Sequence, residues 1–322
     1  MTVVRSISNT GHQTTTADFN GDGSQVTVTS NSLRLLTLTS IIRTSVYDTD
    51  TGRQIGRTVT TRGPASTSTV SFAEAADDGS SPVVTPEGNR ALTITDLSTP
   101  TGYHATSVTV TDTATGLQVG DAVKLPGWPA PTPVLFGADG IHAIVTTQEY
   151  DGNTFGYIQL YSTIDTDTGS KAGTTLALKG SPPGGPVFSP DRKRIVLTTY
   201  GGIGNTYQTQ LGVLDTTTGA QIGSTLTYSS VGSVFSPIFS EDKNRVLMLA
   251  GATDPFGRYS IRASVINTVT GTQIGKTLSF AGGNYGSSSV FSPDGAHVLF
   301  VTTQANWLSL TSTARVSILK IA

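Results

Sequence analysis

The chain has 322 residues and a formal net charge of −2 at pH 7, with only 13% of its residues charged. This balance gives no electrostatic reason to expect a nucleic acid as the partner, and no apolar run approaches the roughly 20 residues that cross a bilayer. The sequence has no cysteine, which excludes disulfides, thiolate metal sites and thiol nucleophiles.

In chain order, the first predicted element is a strand-like run at Thr2–Ser8, and a strand–turn–strand unit then recurs six times. Each copy of the unit has an apolar strand, a polar turn built mostly from Pro, Asp and Gly, and a second strand. The copies are Phe19–Val26, Val84–Leu92, Leu135–Ala143, Val187–Ile195, Phe239–Val246 and Val290–Val301.

A second unit, with the form of a hairpin, follows every copy of the first except the last. It has a β-branched run, a polar turn that starts with Asp or Asn, and a glycine where the turn requires a positive φ. Its copies are Val46–Gly56, Val110–Gly120, Thr163–Gly173, Val213–Gly223 and Val265–Gly275. The turn glycines lie 64, 53, 50 and 52 residues apart. Two hairpins per repeat make four antiparallel strands, which is typical of a β-propeller blade.

The sequence therefore predicts an all-β fold in which residues 1–322 form a single six-bladed β-propeller domain. The sixth blade lacks one strand at the end of the chain, and we expect Thr2–Ser8 to complete it, so that the ring closes without exposed sheet edges. The one long interval between turns predicts an acidic insertion at Ser71–Ser80, which is a loop or one helical turn between the first two blades. The expected blades are 12–63, 64–127, 128–180, 181–230, 231–283, and 284–322 together with 1–11.

The turns of such a blade alternate between the two ends of its sheet. The Ser-Pro-Asp-Gly and Asp-Thr-x-Thr-Gly turns share one end and are nearly uniform, whereas the turns and links at the other end differ in every repeat. Uniform turns indicate a scaffold and varied turns a recognition surface. The composition also indicates that Thr and Ser occupy the outer faces of the strands, where Lys and Glu are scarce.

The varied turns are rich in aromatic residues, which supply rigid contact area with a polar tip and suit sugars, peptides or protein surfaces. The alternative is that these rings only cover the ends of the blades. Tyr157 lies beside the same turns. The predicted ligand-binding residues are Tyr103, His104, Glu149, Tyr150, Asp151, Phe155, Tyr200, Tyr207, Asp254, Phe256, Tyr259 and Trp307.

One segment offers oxygen ligands in a pattern that suits calcium. Asp18, Asn20 and Asp22 lie at alternating positions, with glycines for a tight turn, and the segment resembles the calcium loop of integrin-type propeller repeats. That family has a further acidic residue four positions after Asp22, where this chain has Val26. We therefore expect a structural turn and no cofactor, with calcium as the alternative.

No set of residues predicts a catalytic centre. His142 and His297 occupy a register position that other repeats fill with Arg or Gln, which indicates a solvated strand end. Glu149, Asp151 and Asp254 could act as acid and base or hold a cation at a central channel, but such carboxylates are more often solvated loop residues.

The repeated segments, as at Phe291–Gly295 and Thr270–Gly275, resemble the YVTN-type β-propeller repeats of bacterial and archaeal surface proteins. The Thr-rich character is similar to propeller regions of actinobacterial, including mycobacterial, cell-envelope proteins. The Tyr-Val-Thr-Asn core of that family is replaced at Ile144–Thr147 and Val196–Thr199. The resemblance implies an adhesion or interaction module of a secreted or cell-surface protein, and it brings no catalytic residue.

The leading hypothesis is a non-enzymatic binding module, a monomeric domain of a larger chain, that recognises a glycan or a protein through the varied aromatic turns. It predicts neither nucleic-acid binding nor membrane insertion. Met1–Ser6 lacks the basic and apolar regions of a signal peptide, which leaves a cytoplasmic protein or a domain of an exported chain. One alternative function is a calcium- or carboxylate-assisted lactonase or hydrolase, and another is a structural spacer.

Overall fold

The computed structural model describes residues 14–19, 24–34, 39–48, 51–64, 83–99, 102, 104–132, 134–152, 156–182, 185–203, 206–229, 237–253, 259–281, 288–291, 297–306 and 311–321. Over these ranges the regular elements are all strands, and they form six antiparallel sheets. Consecutive strands are neighbours except in the third sheet, where the first strand pairs with the third. The predicted all-β class is therefore confirmed, and four of the six described sheets have the predicted four strands.

The first three sheets follow the chain from residue 14 to residue 179. The first contains β1 (Thr14–Phe19), β2 (Gln25–Arg34), β3 (Thr39–Asp48) and β4 (Gln54–Pro64). The second contains β5 (Val83–Val84), β6 (Arg90–Asp96), β7 (Ala105–Asp112) and β8 (Gln118–Pro126). The third contains β9 (Trp128–Pro129), β10 (Leu135–Phe136), β11 (His142–Asp151), β12 (Gly156–Asp165) and β13 (Ser170–Lys179).

The remaining three sheets repeat this order. The fourth contains β14 (Val187–Phe188), β15 (Arg194–Ile203), β16 (Thr206–Asp215) and β17 (Gln221–Ser229). The fifth contains β18 (Ile238–Phe239), β19 (Arg245–Thr253), β20 (Tyr259–Asn267) and β21 (Thr272–Ala281). The described part of the sixth contains β22 (Ser288–Phe291), β23 (His297–Asn306) and β24 (Thr311–Lys320).

Two parts of the sequence prediction lie outside the described residues. These are the pairing of residues 2–8 with the last strand and the inserted loop at residues 71–80. The closed ring of six blades therefore stays a prediction.

The described residues pack as two compact units. The first unit comprises the described residues within 1–149, 160–175 and 217–219. The second unit comprises those within 150–159, 176–216 and 220–322. The first unit has an apolar core that includes Leu92, Ile94 and Val110. The second has two apolar clusters, one around Leu247 and Ile261 and the other around Val196, Val213 and Met248. Most side chains of each core come from the middle strands, joined by a few from outer strands, such as Val83, Leu125 and Phe291.

The middle strands are buried on both faces, as β6 and β7 show, whereas the fourth strand β8 is largely exposed. Threonine is part of this buried layer: the Thr44 hydroxyl of the first sheet lies 3.2 Å from the Thr93 hydroxyl of the second. The prediction that Thr occupies the outer faces is thus wrong for the middle strands. Threonine fits there because its β-branched shape suits a strand and its hydroxyl can find a partner across the sheet interface.

The two glycines of the Thr-Gly-x-Gln-Ile-Gly segment join one sheet to the next. Gly223 of the fourth sheet has φ +69, and a Cβ there would lie 2.5 Å from Thr270 O and 2.7 Å from Gly271 Cα of the fifth sheet. A side chain at either glycine would therefore separate the sheets. The same pairing joins Gly56 to Gly116, Gly120 to Gly169, and Gly173 to Gly219.

The turns at this end are held by their own side chains. In the second sheet, Asp112 Oδ1 accepts hydrogen bonds from Thr115 N at 2.8 Å and from Thr115 Oγ1 at 2.9 Å. Thr113 Oγ1 donates to Gly88 O at 2.7 Å and so ties one hairpin of the sheet to the other. This local chemistry explains why the sequence of these turns is nearly uniform.

The position occupied by His142 and by Arg in other repeats was predicted to be a solvated strand end, but the structure gives it a different role. Arg90 Nε donates to Thr166 O of the third sheet at 3.2 Å, and Arg194 Nη1 donates to Thr268 Oγ1 of the fifth sheet at 3.0 Å. His142, at the same position, places Nδ1 2.7 Å from Asp139 Oδ2. These side chains therefore bind within and between sheets, so the prediction of solvated strand ends was wrong for them.

Candidate functional site

The varied turns lie at the opposite end of each sheet from the uniform Asp-Thr-x-Thr-Gly turns, since consecutive strands are antiparallel. In the third sheet, Tyr150 near the end of β11 is 53% exposed and Tyr157 near the start of β12 is 41% exposed. Their ring centroids lie 6.2 Å apart in an edge-to-face arrangement, with an interplanar angle of 75°. This geometry is favourable for an aromatic pair and leaves much of both rings in solvent.

The fourth sheet carries a second tyrosine pair at the same end. The rings of Tyr200 on β15 and Tyr207 on β16 are stacked, with centroids 5.5 Å apart and an interplanar angle of 11°. The residue directly opposite Tyr207 in the strand register is Gly202, which has no side chain to cover the ring, and Tyr207 is 51% exposed. Partial burial, followed by the neighbouring Tyr207, raises the pKa of Tyr200. We call these four residues, Tyr150, Tyr157, Tyr200 and Tyr207, the tyrosine platform.

A short link between the two sheets sets the position of these pairs. Gly180 N donates to Tyr157 O at 2.6 Å, while Ser181 and Tyr200 exchange backbone hydrogen bonds of 2.9 and 2.8 Å. Gly180 has φ +107, and a Cβ there would lie 2.6 Å from both the carbonyl carbon and the oxygen of Tyr200. The link is thus hydrogen-bonded to the Tyr157 backbone of one hairpin and to the Tyr200 backbone of the next. These bonds place the two hairpins next to each other.

Lys179, the last residue of β13 and the residue directly before this link, makes three further interactions. Its amide donates to Gln210 Oε1 at 2.7 Å, its carbonyl accepts a 2.7 Å hydrogen bond from Thr199 Oγ1, and its Nζ lies 3.3 Å from Asp151 Oδ2. Asp151 is only 7% exposed. The predicted ligand residue Asp151 therefore lies beneath the surface, where it pairs with Lys179 and helps to fix the link.

The same arrangement occurs between the second and third sheets, in the other unit. Gly127 N donates to His104 O at 3.2 Å, and Trp128 pairs with Gln148 as Ser181 does with Tyr200. The rings of His104 and Trp128 meet edge to face with centroids 4.7 Å apart. Trp128 was missed by the sequence analysis, although aligning Gly127 with Gly180 in the repeat would have found it.

The other predicted site residues are placed as follows. Glu149 is half-buried, and its Cγ lies 3.0 Å from where a Cβ on Gly127 would be. Tyr259 begins β20 opposite Thr253, and Asp18 lies in β1 opposite Thr27; only the backbone is described at Tyr259 and Asp18. Outside the described residues are Tyr103, Phe155, Asp254, Phe256, Trp307, Asn20 and Asp22.

The described residues contain no cluster of three His, Asp or Glu side chains that could hold a metal ion. Within the same residues, no helix is long and apolar enough to cross a membrane. The segment with Asp18, Asn20 and Asp22, predicted to be a structural turn with a calcium loop as the alternative, falls mostly outside these residues.

The chain matches no protein-family model and no curated protein sequence. Among solved structures, it is similar to the β-propeller domain of the trilobed protease from Pyrococcus furiosus, with 10% identity over 96% of this chain and 85% of that chain, at a TM-score of 0.38. Kuenenia stuttgartiensis hydrazine synthase matches with 16% identity over 89% of this chain and 74% of that one, at a TM-score of 0.35.

Pyrococcus horikoshii acylaminoacyl peptidase matches with 11% identity over 97% of this chain, at a TM-score of 0.37, and the match spans 46% of its own length. Identity this low carries no implication for the activity of this chain.

Proposed function

We propose that the chain is a six-bladed β-propeller, closed by residues 1–11, that acts as a non-enzymatic binding module. Its ligand is a glycan or a protein, and the varied turns at one end of the sheets bind it. The repeated four-stranded sheets support the blade assignment, and so does the glycine contact that recurs between consecutive sheets. We place the module in a secreted or cell-surface protein of the YVTN type, as one monomeric domain of a larger chain.

The tyrosine platform is the observation that carries this proposal. Tyr150, Tyr157 and Tyr207 are each more than two fifths exposed, and they occur in ring-to-ring pairs, whereas exposed hydrophobic residues that are scattered singly need no functional explanation. Backbone hydrogen bonds hold the strands beneath them. A rigid aromatic surface loses little conformational entropy when a ligand binds, so it is well suited to recognition.

The test is a binding screen with the whole chain and one double variant, Tyr150→Ala/Tyr207→Ala. Two kinds of probe are used: a set of soluble polysaccharides and a phage library of random peptides. We expect the wild type to retain at least one probe and the double variant to lose it. The melting temperature should fall by only a few degrees, because both side chains are exposed and each substitution removes one aromatic pair worth about 0.5–1.5 kcal/mol.

Retention of the same probe by the double variant would overturn the proposal, as would a wild-type chain that retains no probe of either kind. A spacer domain predicts the second outcome. Turnover of a retained polysaccharide or peptide would instead support the hydrolase.

A further inference from the structure

The kind of side chain exposed around the tyrosine platform indicates the chemistry of its ligand. The large hydrophobic side chains exposed in the described part of the chain comprise three platform tyrosines and three aliphatic residues. The aliphatic residues lie elsewhere: Leu117 and Val269 are in the uniform Asp-Thr-x-Thr-Gly or Asn-Thr-x-Thr-Gly hairpins, and Leu278 is on a fourth strand. The exposed apolar area of the platform is therefore provided by tyrosine, whose ring carries a hydroxyl at its edge.

The platform is also close to electrically neutral. In the described parts of residues 150–159, 176–182 and 200–210, the charged side chains are Asp151 and Lys179, and these two form an ion pair; Glu149 directly precedes Tyr150 and adds one negative charge. The neighbouring polar groups are uncharged, such as the half-buried Gln208 and the exposed Ser181. A nucleic acid or an anionic polysaccharide would need unpaired cations here, since phosphate and carboxylate groups are bound mainly by Lys and Arg.

Flat aromatic rings combined with amide and hydroxyl groups match one class of ligand best. A sugar ring presents axial C–H groups on one face, which pack on an aromatic ring, and hydroxyls around its edge, which pair with amides and hydroxyls. A protein interface is also rich in tyrosine, but it commonly adds Arg, Trp or Met, and residues 150–159, 176–182 and 200–210 include none of these three. The two tyrosine pairs lie on adjacent hairpins, so more than one sugar of the same chain can be bound at once.

We infer that the tyrosine platform binds an uncharged polysaccharide by stacking sugar rings on the exposed tyrosine rings of two adjacent hairpins. This inference rests on the proposed binding function and narrows its ligand to one class. Because stacking on a neutral surface is not a charge interaction, the affinity should change little with salt concentration. It should also increase with the length of the polysaccharide, as a second pair is engaged.

Affinity electrophoresis of the whole chain tests this in native gels that contain one soluble polysaccharide each: mannan, arabinogalactan or mixed-linkage β-glucan as neutral probes, and polygalacturonate or heparin as anionic probes. We expect retardation by at least one neutral probe. Tyr150→Ala and Tyr207→Ala should each weaken it by about tenfold. Tyr207→Phe keeps the ring and should stay within about threefold of the wild type.

Leu117→Ala is the matched control, because Leu117 is 50% exposed on a uniform turn, and it should bind like the wild type. The inference is overturned if no neutral probe retards the chain, if only anionic probes do, or if the tyrosine variants bind unchanged. In the first of these cases, peptides from the phage library that bind through Tyr150 and Tyr207 would leave the proposed binding function standing. If the chain binds neither polysaccharides nor peptides, both the inference and the proposed binding function are wrong.

Discussion

Replacing Gly223 with alanine is expected to destabilise the protein through two separate effects. Gly223 has φ +69, in the left-handed region where a residue with a Cβ costs roughly 1–2 kcal/mol. The new Cβ would also overlap backbone atoms of the next sheet, at 2.5 Å from Thr270 O, and relief of such overpacking typically costs about 1–3 kcal/mol. We therefore expect the free energy of unfolding to fall by about 2–5 kcal/mol.

Gly275→Ala separates the two effects, because Gly275 fills the same place in the last copy of the segment. It has φ +67, and no heavy atom lies within 4 Å of where its Cβ would be, so far as the described residues go. This variant should lose only the backbone term of about 1–2 kcal/mol. Urea unfolding followed by circular dichroism gives both values, and equal losses in the two variants would refute the role of the Gly223–Gly271 contact.

Two further predictions concern side chains near the uniform turns. Arg194→Met removes the hydrogen bonds to the next sheet, including the 3.0 Å bond to Thr268 Oγ1, and should lower the free energy of unfolding by about 1–2 kcal/mol. Lys193→Met, at an exposed neighbour, is the control and should change it by less than about 0.5 kcal/mol; equal effects would contradict the cross-sheet role. Partial burial acts to raise the pKa of Asp139, but hydrogen bonds from His142 hold it below the ordinary value of 3.8. The ionised carboxylate therefore adds stability above that value, which is lost as the pH falls through the folded pKa. Asp139→Asn should lose this acid-dependent part, so that between about pH 6 and about pH 3 its stability falls less than that of the wild type; an unchanged pH profile would be inconsistent with this role.

The predictable part of the site was its place in the repeat. Tyr150 and Tyr207 could be assigned to one end of the sheets because hairpin turns alternate between the ends, and this follows from strand order alone. The pairing of Asp151 with Lys179 could not be predicted, since the two residues belong to different strands that the link brings together. For the same reason the contact of His104 with Trp128 had no signal in either local sequence.

By itself the sequence determined the strands, the hairpins and the roughly 50-residue repeat, because each depends on side chains and glycines within a few positions of one another. The carboxylate that closes a turn and the glycine that follows it act locally, so their pattern can be read directly. Only the tertiary structure decided which surfaces of neighbouring sheets meet: Gly223 against Gly271, buried threonine hydroxyls between sheets, and Gly180 between two tyrosine backbones. These contacts join residues from separate strands, and their distances arise only when the sheets pack.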